Sequence, residues 1–293
     1  MNRSALQRNL PLWRSLLFVP VNVPRFVDGA HRRGADGIVL DLEDSVLPQH
    51  KAEARTLVPQ AAARAAAGGA DVLVRINGGL RAAVPDVEAS VGPQVRALMV
   101  PKCESAEWLR MVAELASELE RERGLAPGHT LLVPLIESCS AFFRMREIAT
   151  ADPRVVAIAM GSEDFSASAG MEPTSEALFH PKQQMILAAR EAGILPLGYI
   201  GSIAGLEASA DLLTAGRRAR QLGSTGAMTV HPAQVPLLNE AFSPSAEELA
   251  QARALVAAFD AASGGGQGAF RHEGRMVDEA VVLRARALLA RHG

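Results

Sequence analysis

The chain reads as an α/β protein, a (β/α)8 TIM barrel over residues 1–242 followed by a helical extension over 243–293. Two observations predict this. Short apolar runs, of the kind that form strands buried on both faces, alternate eight times with longer segments of helical character. The connections between them are short, as in a barrel whose every strand is followed by a helix. A doubly wound open sheet would have similar strands. No Gly-x-Gly-x-x-Gly opens a helix, however, since Gly161 and Gly170 stand isolated.

The first strand is Ser15-Leu16-Leu17-Phe18-Val19-Pro20, closed by proline. A helix over 24–33 has Pro24 in its first turn, where a missing N–H is no loss, and Gly34 at its end. Strand two, 37–40, runs into Asp41-Leu42-Glu43-Asp44. The alanine-rich stretch 51–67 is helical and is stopped by Gly68-Gly69. Strand three, 71–77, carries Arg75 within an otherwise apolar segment. A shorter helix over 84–90 precedes strand four, 97–102, which ends at Lys102. In 106–123, Leu109, Val112, Leu115 and Leu119 recur at helical spacing. Strand five begins at Leu131 and ends abruptly in Glu137-Ser138, and a helix over 141–150 follows. Strand six, 155–161, runs into Ser162-Glu163-Asp164, with a polar loop expected over 162–174. A helix over 176–192, strand 194–200, helix 206–222, strand 227–231 and a helix over 232–241 complete the eight units.

The remainder exceeds what a barrel requires. A long helix over 246–262 has Ser245 as its cap and Glu247 and Glu248 in its first turn. A glycine-rich hinge over 263–268 leads through 269–277 to a last helix, 278–291. Such a unit suits a lid, an arm packed on a neighbouring subunit, or both.

The net charge of −2 gives no general attraction to nucleic acid or an anionic membrane. Cys103 and Cys139 lack metal-ligand spacing and fit a reducing cytoplasm. Residues 1–13 are polar, with Arg3 and Arg8 and no signal-peptide core, and no apolar run approaches a membrane span. The expectation is a cytoplasmic protein with neither nucleic-acid nor membrane partners.

The chemistry is expected at the strand tips. A carboxylate at the end of a buried strand is expensive to dehydrate without a partner, and acids close several of these strands. Glu137 and Asp164, with waters and a chelating substrate, would meet the octahedral preference of magnesium. Either acid alone has a structural reading, Glu137 as a helix N-terminal acid or ion-pair partner and Asp164 as a turn residue. Asp41, Glu43 and Asp44 would bond loops or metal-bound water. Arg75, at the barrel mouth, calls for an anion: a substrate carboxylate or enolate oxygen, or one of these acids in a structural pair. Lys102 has the same two readings. Gly161, Ser162 and Glu163 offer backbone amides to a substrate carboxylate. His231 reads as a structural hydrogen-bonding residue, His180 as ordinary, and Asp278 as a helix N-terminal acid.

Taken in order, these segments resemble the citrate lyase β-subunit family within the HpcH/HpaI aldolase superfamily, the CoA-ester lyases that include malyl-CoA and citramalyl-CoA lyases. The carriers are 14–20, 37–46, Val74-Arg75-Ile76-Asn77, Val100-Pro101-Lys102, Pro134-Leu135-Ile136-Glu137-Ser138, Gly161-Ser162-Glu163-Asp164, His231-Pro232-Ala233-Gln234 and Gly274-Arg275-Met276-Val277-Asp278. Each is modest; the ordered set, spanning residues 14–291, is specific. The resemblance implies a Mg2+-dependent barrel (Mn2+ being the alternative ion), usually a homotrimer or a hexamer built as a dimer of trimers. It implies Glu137 and Asp164 as metal ligands with Glu43 and Asp44 behind them, and Arg75 and the 161–164 amides as substrate contacts. Phe18 and Arg25 fall at CoA-contacting positions. Asp278 becomes a candidate acid/base reaching a neighbouring subunit's site. Two departures bear on acyl specificity: Val21 and Asn22 replace a glycine-led turn after strand one, and Gly198-Tyr199-Ile200-Gly201-Ser202-Ile203 lacks an acidic, aromatic run.

The expected activity is cleavage of a malyl-CoA- or citramalyl-CoA-type ester to acetyl-CoA and a 2-oxo acid, glyoxylate or pyruvate. The alternatives are hydrolysis of malyl-CoA at the same site, service as the β subunit of an acyl-carrier citrate lyase complex, and a non-catalytic CoA-binding barrel. The last would be expected to have lost Arg75, Glu137 or Asp164, and all are present.

Overall fold

The computed structural model of the chain describes residues 10–201, 210–264, 269–272 and 274–292. Eight strands pair in parallel: β1 (Ser15–Pro20), β2 (Gly37–Asp41), β3 (Asp71–Arg75), β4 (Val95–Val100), β5 (Leu131–Ile136), β6 (Ala157–Met160), β7 (Leu195–Leu197) and β8 (Ala227–Thr229). Each neighbours the next, and β1 pairs with β8. The ring closes through a parallel bridge between Leu197 and Gly226 and the bonds Gly198 N to Gly226 O (2.8 Å) and Thr225 N to Pro196 O (2.9 Å). The expected (β/α)8 barrel is therefore the observed fold.

Alternation along the strands divides the core in two. Leu16, Val39, Leu73, Met99, Val133, Ala159 and Leu197 point into the barrel with Trp13, whose indole N–H donates to Asp71 (2.8 Å). Ile38, Leu40, Val74, Leu98, Leu132 and Ile158 point outward. They meet the helices α1 (Pro24–Ala30), α2 (Lys51–Ala66), α3 (Leu80–Ser90), α4 (Ala106–Glu122), α5 (Cys139–Phe143), α6 (Met145–Ala149), α7 (Ser162–Ala169), α8 (Ser175–Ala192), α9 (Ala210–Gln221) and α10 (Val235–Ala241). Burial on both faces is why these strands read as unbroken apolar runs.

The structure corrects two elements. Helix 141–150 is two short helices, interrupted at Arg144, where φ −109° and ψ 7° leave the helical region and the guanidinium donates to Glu104 O (3.2 Å). Much of the expected loop 162–174 is the helix α7. Its polar sequence concealed it, but Glu163 and Asp164 in the first turn complement the helix dipole and Gly170, at φ 65°, takes the left-handed cap. Residues 202–209, at the start of the expected helix 206–222, lie outside the described residues.

Residues 1–242 and 243–293 form separate compact units. The second contains α11 (Ala246–Gly264), an antiparallel hairpin of β9 (Phe270–His272) and β10 (Arg275–Val277), and α12 (Glu279–His292). Ser245 and Glu248 form a reciprocal capping box, each side chain accepting from the other's backbone N–H (3.0 and 2.8 Å). The helix α11 runs past the expected start of the hinge to Gly264, and 265–268 lie outside the described residues. Among the described residues, no helix is long and apolar enough to cross a membrane.

One buried ion pair ties the outer helices to the barrel's amino-terminal side. Glu120 on α4 accepts both terminal nitrogens of Arg154 at 2.7 Å, and the amides of Thr130 and Gly128 at 2.7 and 2.9 Å. Burial alone would raise its pKa, but these donors win and hold it at about 2. Because the folded-state pKa is depressed, the stability it contributes is present above the ordinary glutamate range and is lost as pH falls towards about 2. Arg154→Met, which strands the buried Glu120 charge, is expected to cost about 3 kcal/mol in urea unfolding at neutral pH. The deficit should shrink in acid as Glu120 is protonated in the variant.

Candidate active site

The carboxyl ends of the strands open into a cavity of about 780 Å³. Its lining includes Phe18, Asp41, Asp44, Arg75, Glu137, Gly161, Ser162, Glu163, Asp164 and Lys182. The strand-tip acids thus converge on one face.

Strand register explains the first pair. Asp41 and Arg75 each end their strand, and the parallel ladder places them side by side. Arg75 donates to both Asp41 oxygens, Nε to Oδ1 and Nη2 to Oδ2, each at 2.7 Å. Its Nη1 lies 3.1 Å from Glu43 and 3.2 Å from Asp44. Burial would raise the Asp41 pKa, but the paired N–H donors outweigh it and the carboxyl is held low. Asp41 also accepts the amides of Glu43 (3.0 Å) and Ser45 (3.1 Å), which folds the following loop over the strand tip. Phe18 covers the guanidinium, its ring centroid 4.8 Å from Cζ.

Lys102 holds the next acids in place. Its ammonium bonds Glu43 Oε1 at 2.7 Å, and its backbone N–H donates to Glu137 Oε2 at 2.5 Å. To aim that amide the residue adopts φ 48°, in the left-handed region, which costs a non-glycine residue about 1–2 kcal/mol. Glu137 is buried and also lies against Gly161, where a built Cβ would stand 2.7 Å from Glu137 Cγ and Oε1. Burial pushes the Glu137 pKa up to about 7; the Lys102 amide opposes this, while the charges of Glu43 and Asp164 add to it. Asp164, in the first turn of α7, is exposed to the cavity.

The donor set suits a hard divalent cation. Asp41, Glu43, Asp44, Glu137 and Asp164 gather here, and among the described residues their ion pairs come from Arg75 and Lys102. Negative charge is left in excess, and burial with carboxylate neighbours keeps Glu137 reluctant to ionise. Among the described residues, no group of three or more His, Cys, Asp or Glu side chains is placed to enclose a metal. Two carboxylates, Glu137 and Asp164, with water and substrate oxygens completing the shell, match the way magnesium is commonly held.

Other expected residues fall in different places. Gly161 is the N-cap of α7, so the amides of Ser162, Glu163 and Asp164 belong to a helix N-terminus rather than a loop. Arg25 is exposed and stacks on Phe26 (4.7 Å); Phe26 lines the cavity and Arg25 does not. His231 accepts from Ala233 N–H (3.2 Å), the structural role expected of it. Asp278 belongs to the second unit, where its Oδ1 caps α12 by accepting from Val281 N–H (3.1 Å).

The HpcH/HpaI aldolase/citrate lyase family model matches residues 14–232, every barrel strand included. This chain belongs to that family. It is 31% identical to the citrate lyase subunit beta of Leuconostoc mesenteroides subsp. cremoris, covering 96% of this chain and 93% of the relative. It is 33% identical to an L-malyl-CoA/beta-methylmalyl-CoA lyase of Cereibacter sphaeroides, over 94% of this chain and 93% of that one. Among solved structures, protein CitE from Mycobacterium tuberculosis in complex with magnesium, acetoacetate and coenzyme A superposes with a TM-score of 0.73 at 31% identity. That match covers 94% of this chain and 97% of the other.

Sequence reasoning missed two features of this family member's site. The backbone of Lys102 serves as a donor, which nothing in Val-Pro-Lys announces. Lys182 of α8 reaches the cavity wall from the middle of an expected helix, where a lysine carries no positional signal. The alternative reading of Arg75, a structural pair with one of the strand-tip acids, is realised with Asp41, and the strand register makes that choice.

Gly161→Ala puts a methyl group where the Glu137 carboxylate lies. We expect a folded protein by circular dichroism whose Mg2+ affinity in calorimetry is reduced about tenfold, the usual scale for disturbing a ligand's support.

Proposed function

We propose that the chain is a Mg2+-dependent carbon–carbon lyase of 3-hydroxyacyl-CoA esters that carry a carboxylate, of the malyl-CoA or citramalyl-CoA type. The products are acetyl-CoA and a 2-oxo acid, glyoxylate or pyruvate. The observation that carries this reading is that Glu137, Asp164 and Arg75 line one cavity at the carboxyl face of the barrel. Membership of the family, and similarity to a malyl-CoA/methylmalyl-CoA lyase and to a CitE structure holding magnesium and coenzyme A, support it.

In this reading Glu137 and Asp164 hold the metal, which supplies Lewis acidity towards the substrate's hydroxyl and carboxylate. Arg75 faces the thioester. Asp41 takes its Nε and one Nη2 N–H, and Asp44 accepts from Nη1 while Glu43 lies within ion-pair distance of it, so N–H groups of the guanidinium remain for an oxygen that gains charge as the enolate forms. Glu43 and Asp44 keep the guanidinium charged and oriented. The first-turn amides of α7 receive the substrate carboxylate, and Phe18 and Arg25 lie towards the CoA. Asp278, supplied by a neighbouring copy in a homotrimer, protonates the departing enolate carbon, or in reverse removes a proton from acetyl-CoA. Its Oδ1 is held by the α12 amide, which fixes the carboxylate's direction.

The similarity to a citrate lyase subunit beta across nearly the whole of both chains favours a second reading, a citryl-thioester lyase that works within a larger complex.

Purified protein with Mg2+ should release a 2-oxo acid and acetyl-CoA from malyl- or citramalyl-CoA, and EDTA should abolish this. Free CoA without 2-oxo acid would replace the lyase with a thioesterase. Silence on these esters and on citryl-CoA would favour a partner-dependent subunit. Arg75→Ala should lower kcat about a hundredfold or more, with Mg2+ affinity changed far less. The pH dependence follows from Glu137, whose carboxyl is protonated below about 7 and must lose that proton to bind metal. The apparent Mg2+ dissociation constant should therefore rise about tenfold per unit as pH falls below that point, as calorimetry would show, and be flat above it.

A further inference from the structure

Lys182 takes no part in the carboxylate cluster, yet it lines the same cavity and is 5% exposed. Its Nζ donates to Ser162 Oγ, Tyr199 O and Gly201 O, each at 2.7 Å. These partners satisfy the N–H groups but bring no countercharge. Among the described residues no carboxylate lies within ion-pair distance of it. The charges and rings that face it are few: Glu163 on α7 favours its charged form, and the Tyr199 ring centroid lies 5.9 Å away. Burial dominates and holds the ammonium's pKa down to about 7.

A buried cation whose hydrogen-bond partners are all neutral is a costly arrangement, eased here only by the charge of Glu163, and it becomes more favourable when an anion arrives. The geometry limits where that anion can sit. Ser162, whose Oγ accepts from Lys182 and donates to Gly201 O (3.0 Å), is itself the first residue of α7, in the turn where backbone N–H groups lack intrahelical acceptors. The same ammonium fastens the segment after β7 to that turn, since it bonds Tyr199 and Gly201 on one side and Ser162 on the other.

We propose that Lys182 is a positioning residue for the anionic end of the substrate: acting through Ser162, it supplies the countercharge that seats a carboxylate on the first turn of α7, and so selects 2-oxo acids over uncharged carbonyl compounds. The inference rests on the lyase reading for the identity of that carboxylate, and it adds a residue and a basis for selectivity.

The test is calorimetric binding of pyruvate, glyoxylate and uncharged acetaldehyde to full-length, Mg2+-saturated protein. Lys182→Met should weaken pyruvate and glyoxylate by about tenfold or more while acetyl-CoA and Mg2+ affinities stay within about twofold. Lys182→Arg should restore part of the loss. Unchanged pyruvate and glyoxylate binding in folded Lys182→Met overturns the proposal, as does an equal loss for acetyl-CoA. So does a wild-type protein that binds neither 2-oxo acid. Should the methionine variant fail to fold, wild-type protein at about pH 8, titrated with pyruvate in two buffers of different ionisation enthalpy, should take up a proton as the anion recharges Lys182. No uptake overturns it. Lys182-dependent pyruvate binding by a protein that cleaves none of the CoA esters would sink the lyase reading alone. Ester cleavage with an unaltered 2-oxo acid dependence in Lys182→Met would sink this inference alone.

Discussion

Carboxylates gathered at one end of a closed barrel repel one another, and much of the local architecture answers that repulsion. Arg75 spreads over Asp41, Glu43 and Asp44, and Lys102 divides itself between Glu43 and Glu137. The compensation is incomplete. It leaves Glu137 buried with a raised pKa and Asp164 open to the cavity. A divalent cation suits the charge that remains. A fully neutralised site would hold its shape as well but would have little reason to recruit a metal.

The fold was legible because burial leaves a plain mark on sequence. Strands covered on both faces lose their polar alternation, and all eight could be placed from that alone. Their ends were less certain, since Ile76, Asn77 and Pro101 continue the apolar or extended character past the last ladder bond. The helix α7 was illegible for the opposite reason. Its buried positions are few, Phe165 and Ser166 among them, so no apolar stripe marks it. Its brackets, Gly161 and Gly170, stand isolated in the sequence and mark no helix without an apolar stripe between them.

The residue types of the site were legible and their partnerships were not. Asp41, Glu43 and Asp44 looked equivalent as a cluster at one strand tip. Register separates them: Asp41 lies on the ladder beside Arg75 and takes its fork, Glu43 turns to Lys102, and Asp44 stays exposed. Lys182 was invisible because its significance depends on its surroundings, and a chain of letters does not display that, among the described residues, no carboxylate lies within ion-pair distance of it.

The left-handed backbone of Lys102 has an evolutionary consequence. One position serves Glu137 through its main chain and Glu43 through its side chain, and these are different demands on one codon. Glycine would adopt the backbone shape with ease but abandon Glu43, while arginine would keep the charge and retain the strain. Drift at this position is therefore pleiotropic. A replacement here bears on Glu43, just past β2, and on Glu137, just past β5, at once.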